Sequence, residues 1–358
     1  MKKVLYLLII AFSLILTLTS CLDKFISDNN DETEEADDID LKYFLTDDGT
    51  YAVEIGEAKY CTKISVPAKH NGKAVTRIGS FGYVEKEEEK NSVLEEIIIP
   101  DSVKIISEDA FKNCHKLKTV TLGNGIKKIE KDAFYGCKEL TSINLPVGIT
   151  EIGESAFDSC EKLESITLPN TLTKIDNKTF KGCKELTSVT IPVGITEIGE
   201  SAFQNCENLK SITLPNSLTK IDNIAFYGCK KITSITIPDS VTELGTHVFS
   251  YCEALKTATL GSGITAIKKS TFSDCTNLIE INIGKNVKTI GEYAFWKCAK
   301  LKNITISENI TKIESEAFSY CYKLTDIYYF GSEYQWESII YDTDISKTVN
   351  IHFNYGKW

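Results

Sequence analysis

Hydrophobic and polar positions repeat along this chain with a fixed period of 23 residues, clearest from Leu140 to Glu185. Each period follows one rule, L-x-x-I-x-L/I-P-x-x-I/V-x-x-I-x-x-x-A-F-x-x-C-x-x. Phe recurs at Phe111, Phe134, Phe157, Phe180, Phe203, Phe226, Phe249, Phe272, Phe295 and Phe318, with a Cys three residues after each, from Cys114 to Cys321. Ten full units therefore run from Leu94 to Lys323. A second period lies over the first. Residues 186–231 repeat residues 140–185 with only 12 of 46 positions changed.

Self-similarity at this length predicts a solenoid, in which each unit is one coil and apolar residues are covered only by stacking. Within a coil, Ile143 and Leu145 alternate with Ser142 and Asn144, the pattern of a half-buried strand. Pro146 ends it, because proline has no N–H for a continuing ladder. Ile149 and Ile152 predict a second short inward-facing segment. Glu154 to Cys160 then reads as a helical or 3₁₀ return that buries Ala156, Phe157 and Cys160. Strand spacing of about 4.8 Å makes ten coils a rod on the order of 50 Å long.

The pattern fades at both ends. Residues 41–92 read as an N-terminal cap: a hairpin around Asp47-Asp48-Gly49, two degenerate strands at Ile64–Val66 and Val75–Ile78, and an inserted Glu85 to Asn91 in place of the expected AFxxC. The repeats occupy 93–327. Residues 328–358, with Tyr328, Tyr329, Phe330, Tyr334 and Trp336, read as an aromatic C-terminal cap over the open core, in preference to a carbohydrate platform.

Charge alters the picture only at the start. The net charge is −10, of which −8 falls between Asp23 and Asp40, so the repeats are only mildly acidic. No basic stripe suits nucleic acid. Residues 1–20, with Lys2 and Lys3, a short apolar run and small residues before Cys21, read as an export signal. Leu18-Thr19-Ser20-Cys21 resembles a lipobox, which makes Cys21 the lipidation site and the membrane anchor. Residues 21–40 read as an acidic, disordered tether.

The unit, carried almost intact by Ile235-Thr236-Ile237-Pro238-Asp239-Ser240-Val241-Thr242-Glu243-Leu244-Gly245, resembles the BspA-type leucine-rich repeat, also called the Treponema pallidum type. Asp48-Gly49-Thr50 and the closing run Phe330 to Ile339 resemble segments that flank such arrays. The resemblance implies a right-handed leucine-rich-repeat solenoid of about 11 coils, with a parallel sheet face and β caps. It also implies a surface-exposed or secreted protein that binds host matrix or plasma glycoproteins, or mediates contact between cells. It brings no catalytic residue.

Candidate chemistry is sparse. One Cys per coil forms an inward column, which reads as buried thiols. Neighbouring Cα atoms about 4.8 Å apart permit a disulfide, but side chains projecting in parallel lack its torsion. The absence of a C-x-x-C pair leaves a zinc site unsupported. Cys61 is assigned no role. His70, His115, His247 and His352 are scattered, and no catalytic arrangement is defensible, so neither an enzyme nor a cofactor is expected. Tyr135, Tyr227 and Trp296, one place after the core Phe, are read as too widely spaced to form a patch.

The outward strand positions remain, as a hydroxyl-rich ribbon. Thr141, Asn144, Thr167, Thr190, Thr213, Thr236 and Thr259 are the candidate partner-binding residues, with an extracellular protein or glycoprotein from host matrix or a neighbouring cell as the expected ligand. Glu164, Lys210, Lys256 and Lys302 interrupt the ribbon and argue against an ice-binding ladder. The bland alternative is an exposed sheet that simply favours Thr, in a structural envelope component without a dedicated ligand.

Overall fold

The computed structural model describes residues 41–56, 58, 61–81, 93–341 and 349–354. The signal segment, Cys21 and the tether lie outside these residues. The described chain is a parallel-sheet solenoid of about 12 coils with almost no helix.

Every coil contributes a first strand, as at Ser165–Thr167, Ser188–Thr190 and Ser211–Thr213, and a two-residue second strand, as at Lys174–Ile175, Glu197–Ile198 and Lys220–Ile221. Each residue pairs with the one 23 places on, so Thr167 lies beside Thr190 and Thr190 beside Thr213. The first-strand ladder pauses between Ser211–Thr213 and Ser234–Thr236, which still lie side by side.

The third side closes the coil with hydrogen-bonded turns instead of the expected helical return. Residues two before and two after each Phe, such as Asp109 and Asn113, or Ser155 and Ser159, have positive φ, between 52° and 71°. Alternate N–H groups of the turn reach the next coil, while those between bond back within the turn, as Ala110 to Ser107 and Lys112 to Asp109. Asp109, Phe111 and Asn113 accordingly donate to the carbonyls of Lys131, Ala133 and Tyr135 in the next coil. Small polar residues or Gly fill most such positions at low steric cost. Ile224, at φ 61°, is a β-branched exception.

The core consists of columns. Phe111 to Phe318 stack coil on coil at 5.1 to 5.8 Å between ring centroids. Each Cys Sγ donates to the carbonyl of the Phe in the coil before, at 3.1 to 3.3 Å from Cys137 to Cys321. The ten cysteines of the repeats are buried and free. Burial pushes the Cys114 and Cys252 thiols up to about 12, so the reactive thiolate is negligible at neutral pH.

The 46-residue period has a packing cause. Lys128, Glu151, Lys174, Glu197, Lys220 and Glu243 occupy one column with alternating sign. Lys128 meets Glu151 at 3.1 Å and Lys220 meets Glu197 at 2.9 Å. Two residues on, Gly153, Gly199, Gly245 and Gly291 mark every second coil. A Cβ on Gly199 would lie 2.7 Å from the backbone N of Asn177, and one on Gly245 would lie 2.4 Å from that of Asn223. The coils before these glycines carry Asp176-Asn177 and Asp222-Asn223, whose Asn side chains accept from the N–H groups of Glu200 and Thr246. These four glycines allow one coil to close on another.

Both caps are present. Lys42–Leu45 pairs antiparallel with Tyr51–Glu54. Asp48 in the turn between them accepts from the hydroxyls of Thr46 and Thr50, which holds its pKa down to about 2. Lys63–Ser65 and Lys73–Ile78 extend the two sheets as an additional coil. Phe81 continues the Phe column there, 5.5 Å from Phe111. The expectation that this coil lacks its Phe is therefore corrected: Phe81 follows Ile78 by three residues where Phe111 follows Ile106 by five, and the inserted stretch comes after it. At the other end Tyr329 and Trp336 are buried 5.1 Å apart. Trp336 belongs to the helix Glu333–Glu337, which Ser332 and Gln335 cap.

Candidate partner-binding face

Period-2 alternation turns the middle residue of each first strand inward and its neighbours outward. Thr141, Asn144, Thr167, Thr190, Thr213, Thr236 and Thr259 are all exposed on one face. The ladder sets Thr167, Thr190 and Thr213 in register, and likewise Thr236, Thr259 and Asn282. Thr141 and Asn144 flank the short strand Ser142–Ile143. A second exposed column, Ser165, Ser188, Ser211 and Ser234, runs beside the threonines. Among the described residues, the hydroxyls of Thr167, Thr190, Thr213, Thr236 and Thr259 have no hydrogen-bond partner. The face therefore presents free donors and acceptors at one per coil, about 4.8 Å apart.

A similar column went unremarked in the sequence. Thr150, Thr173, Thr196, Thr219, Thr242 and Thr265 line the outside of the second strands, at 23-residue spacing. Here three of the six hydroxyls, those of Thr150, Thr196 and Thr219, turn to the protein itself. Thr150, Thr196, Thr219 and Thr311 donate to the carbonyls of Lys127, Thr173, Thr196 and Lys288, at 3.0 to 3.2 Å. Residue type and period are the same in both columns.

The free-hydroxyl face ends at a mixed cluster. Tyr328 stands beside Thr305 in the ladder and His352 beside Tyr328. The rings of Tyr328 and His352 stack at 4.8 Å, and a His352 nitrogen lies 2.7 Å from Asp326. That hydrogen bond holds the Asp326 carboxyl below its usual range. The other histidines stay apart: His70 stacks on Tyr43, and His115 bonds to the Gly136 carbonyl. Among the described residues, no group of three or more His, Cys, Asp and Glu is placed to hold a metal ion. Nor does any described helix have the length and apolarity to cross a membrane.

On the turn side, Asp158 is buried where the second copy of the 46-residue unit has Gln204. Burial raises its pKa, while a hydrogen bond from Ser159 works in the other direction.

The sequence matches the BspA type leucine rich repeat region in six copies, over residues 84–210 and 196–325. The chain belongs to that family. No curated protein matches it. Solved leucine-rich repeat structures are also similar to it. A leucine rich cell surface protein from Faecalibacterium prausnitzii is 29% identical, covering 87% of this chain and 99% of its own, with a TM-score of 0.47. A leucine-rich repeat protein from Bacteroides ovatus is 24% identical, covering 90% of this chain and 100% of its own, with a TM-score of 0.52. The leucine rich repeat protein of T. pallidum is 26% identical over 63% of this chain and 91% of its own, with a TM-score of 0.49.

Proposed function

We propose that this BspA-type repeat protein is exported, anchored through a lipid on Cys21, and mediates adhesion by gripping an extracellular protein or glycoprotein on its first-strand face. The observation that carries this reading is the in-register column Thr167 to Thr259, exposed and with hydroxyls unsatisfied by any described residue. A free hydroxyl at each coil supplies one modest hydrogen bond, and a long partner sums many of them. Family membership supports a surface protein. The export signal and tether read in the sequence support a rod held outside the membrane.

Retention of matrix proteins, plasma glycoproteins and intact cells on the purified protein tests this. Thr190→Lys with Thr236→Lys should abolish retention while leaving the fold unchanged. Removal of 186–231 should weaken retention without preventing folding, because a distributed face loses contacts in proportion to its length. Retention indifferent to both changes would return the protein to the structural envelope reading.

A further inference from the structure

Aromatic residues on the turn side are widely spaced in the sequence, yet the stacked coils join four of them, Tyr293 and Trp296 half-buried and Tyr320 and Tyr322 exposed. Tyr293 meets Trp296 at 6.3 Å, Trp296 meets Tyr320 at 5.6 Å, and Tyr320 meets Tyr322 at 6.0 Å, every contact edge to face. Trp296 meets neither Tyr135 nor Tyr227; its neighbours come from other unit positions, Tyr293 of its own coil and Tyr320 of the next. Tyr320 is 50% exposed and Tyr322 77%. Tyr293 and Tyr320 have φ of 57° and 62°. Earlier coils put Asp132, Ser155 and Ser201 at the first of these positions, and Asn113, Ser159 and Asn205 at the second. A bulky ring costs more there than a small polar residue, and an exposed ring returns little core packing.

The charges beside the rings also depart from the array. Along the same edge upstream, lysines and glutamates of successive coils neutralise one another. Glu161 holds Lys138 at 3.4 Å and Lys184 at 2.8 Å, Glu139 holds Lys162 at 2.6 Å, and Glu207 holds Lys230 at 3.2 Å. In the last coils these columns hold no acid: Thr276, Ala299 and Tyr322 follow one another in one, and Asn277, Lys300 and Lys323 in the other. Lys300 then bonds only to neutral Asn277, and Lys323, next to Tyr322, meets no carboxylate among the described residues. Lys297 lies 3.9 Å over Trp296, with Asp274 at 3.8 Å. Glu316 stands at the opposite edge, in the column of Tyr293.

We propose that this turn surface, separate from the threonine face, binds an acidic carbohydrate, with a sugar ring against Tyr320 and Tyr322 and its carboxylate or sulfate at Lys300 and Lys323. Edge-to-face rings leave flat walls with hydroxyl tips, which suit the C–H face and hydroxyls of a sugar. Unneutralised lysines at one edge orient the acidic group and make binding sensitive to salt. A peptide partner of equal charge would also need an apolar slot for a side chain, and the exposed positions around the rings are polar: Ser319, Lys300, Lys323 and Glu316.

The test is retention of the purified full-length protein by immobilised sulfated and uronic-acid oligosaccharides. Uncharged oligosaccharides and a poly-Glu peptide serve as controls. Binding should require the acidic sugar. Tyr320→Ala with Tyr322→Ala should lower it at least about tenfold, as should Lys300→Gln with Lys323→Gln. Glu316→Gln should not weaken it, and neither should Thr190→Lys with Thr236→Lys. All these positions are exposed, so the fold should survive, as unchanged thermal unfolding would verify. No retention by acidic sugars, equal retention by poly-Glu, or indifference to the tyrosine pair would each overturn the proposal. The threonine variants report separately on the sheet face.

Discussion

The same 23-residue coils build two parallel sheets, and each carries an outward column of threonines with opposite use. On the first-strand sheet, Thr167, Thr190, Thr213, Thr236 and Thr259 leave their hydroxyls to solvent. On the second-strand sheet, Thr196 and Thr219 close theirs onto carbonyls of the preceding coil. The second sheet is also where Lys and Glu alternate and where every other coil carries Gly. One sheet thus repeats every 23 residues and leaves the Thr167 to Thr259 column open, while the other repeats every 46 and bonds Thr150, Thr196 and Thr219 of its column internally. A threonine ladder alone does not identify a binding face; the destination of the hydroxyls does.

Removing coils separates the two periods most sharply. Without residues 186–208, Lys174 stacks on Lys220 and Lys184 on Lys230, and Asp222 takes the place of Gly199. Its Cβ then presses on the Asn177 backbone, where Gly199 leaves 2.7 Å for one. Without residues 186–231, Lys174 instead faces Glu243, and Gly245 faces Asn177. The one-coil deletion should be less stable than the two-coil deletion by roughly 4 kcal/mol, through overpacking and like charges together. Denaturant unfolding of the pair measures this. Equal stability would mean that the 46-residue period is a relic of duplication with no packing role.

Gly199→Ala isolates the steric part of that difference. The added methyl has to displace backbone, not a flexible side chain, so a loss of about 2 kcal/mol is expected. Gly49→Ala, in the hairpin turn, should act differently: no atom lies within 4 Å of its Cβ position, and the cost comes from its φ of 79° alone. Thermal unfolding of both variants, with local hydrogen exchange around Asn177, distinguishes crowding from backbone strain.

The coil, its inward columns and both caps were legible in the sequence because one residue type recurs at one spacing. What escaped was set by relations between coils. Phe81 was missed because its coil shortens before the Phe and lengthens after it. The glycines at 153, 199, 245 and 291 look like turn residues until the preceding coil is stacked against them. Thr196 and Thr190 obey the same period, and nothing in their spacing tells which hydroxyl finds a carbonyl. The ring contact of Trp296 with Tyr320 joins two unit positions that no single-column reading compares.

The finest test removes hydroxyls and nothing else. Thr196→Val with Thr219→Val deletes two hydrogen bonds to carbonyls, and each should cost about 1 kcal/mol in denaturant unfolding. Thr190→Val with Thr213→Val deletes two hydroxyls that serve no described partner, and valine keeps the β-branched shape an exposed strand accepts. Stability there should stay within about 0.5 kcal/mol. If the first-strand face grips a partner through its hydroxyls, the same silent pair should lower retention several-fold, while the costly pair on the second sheet should leave retention unchanged. A stability cost shared equally by the two pairs would show that both columns are structural. The case for the first-strand face would then lose the one property that sets it apart from its neighbour.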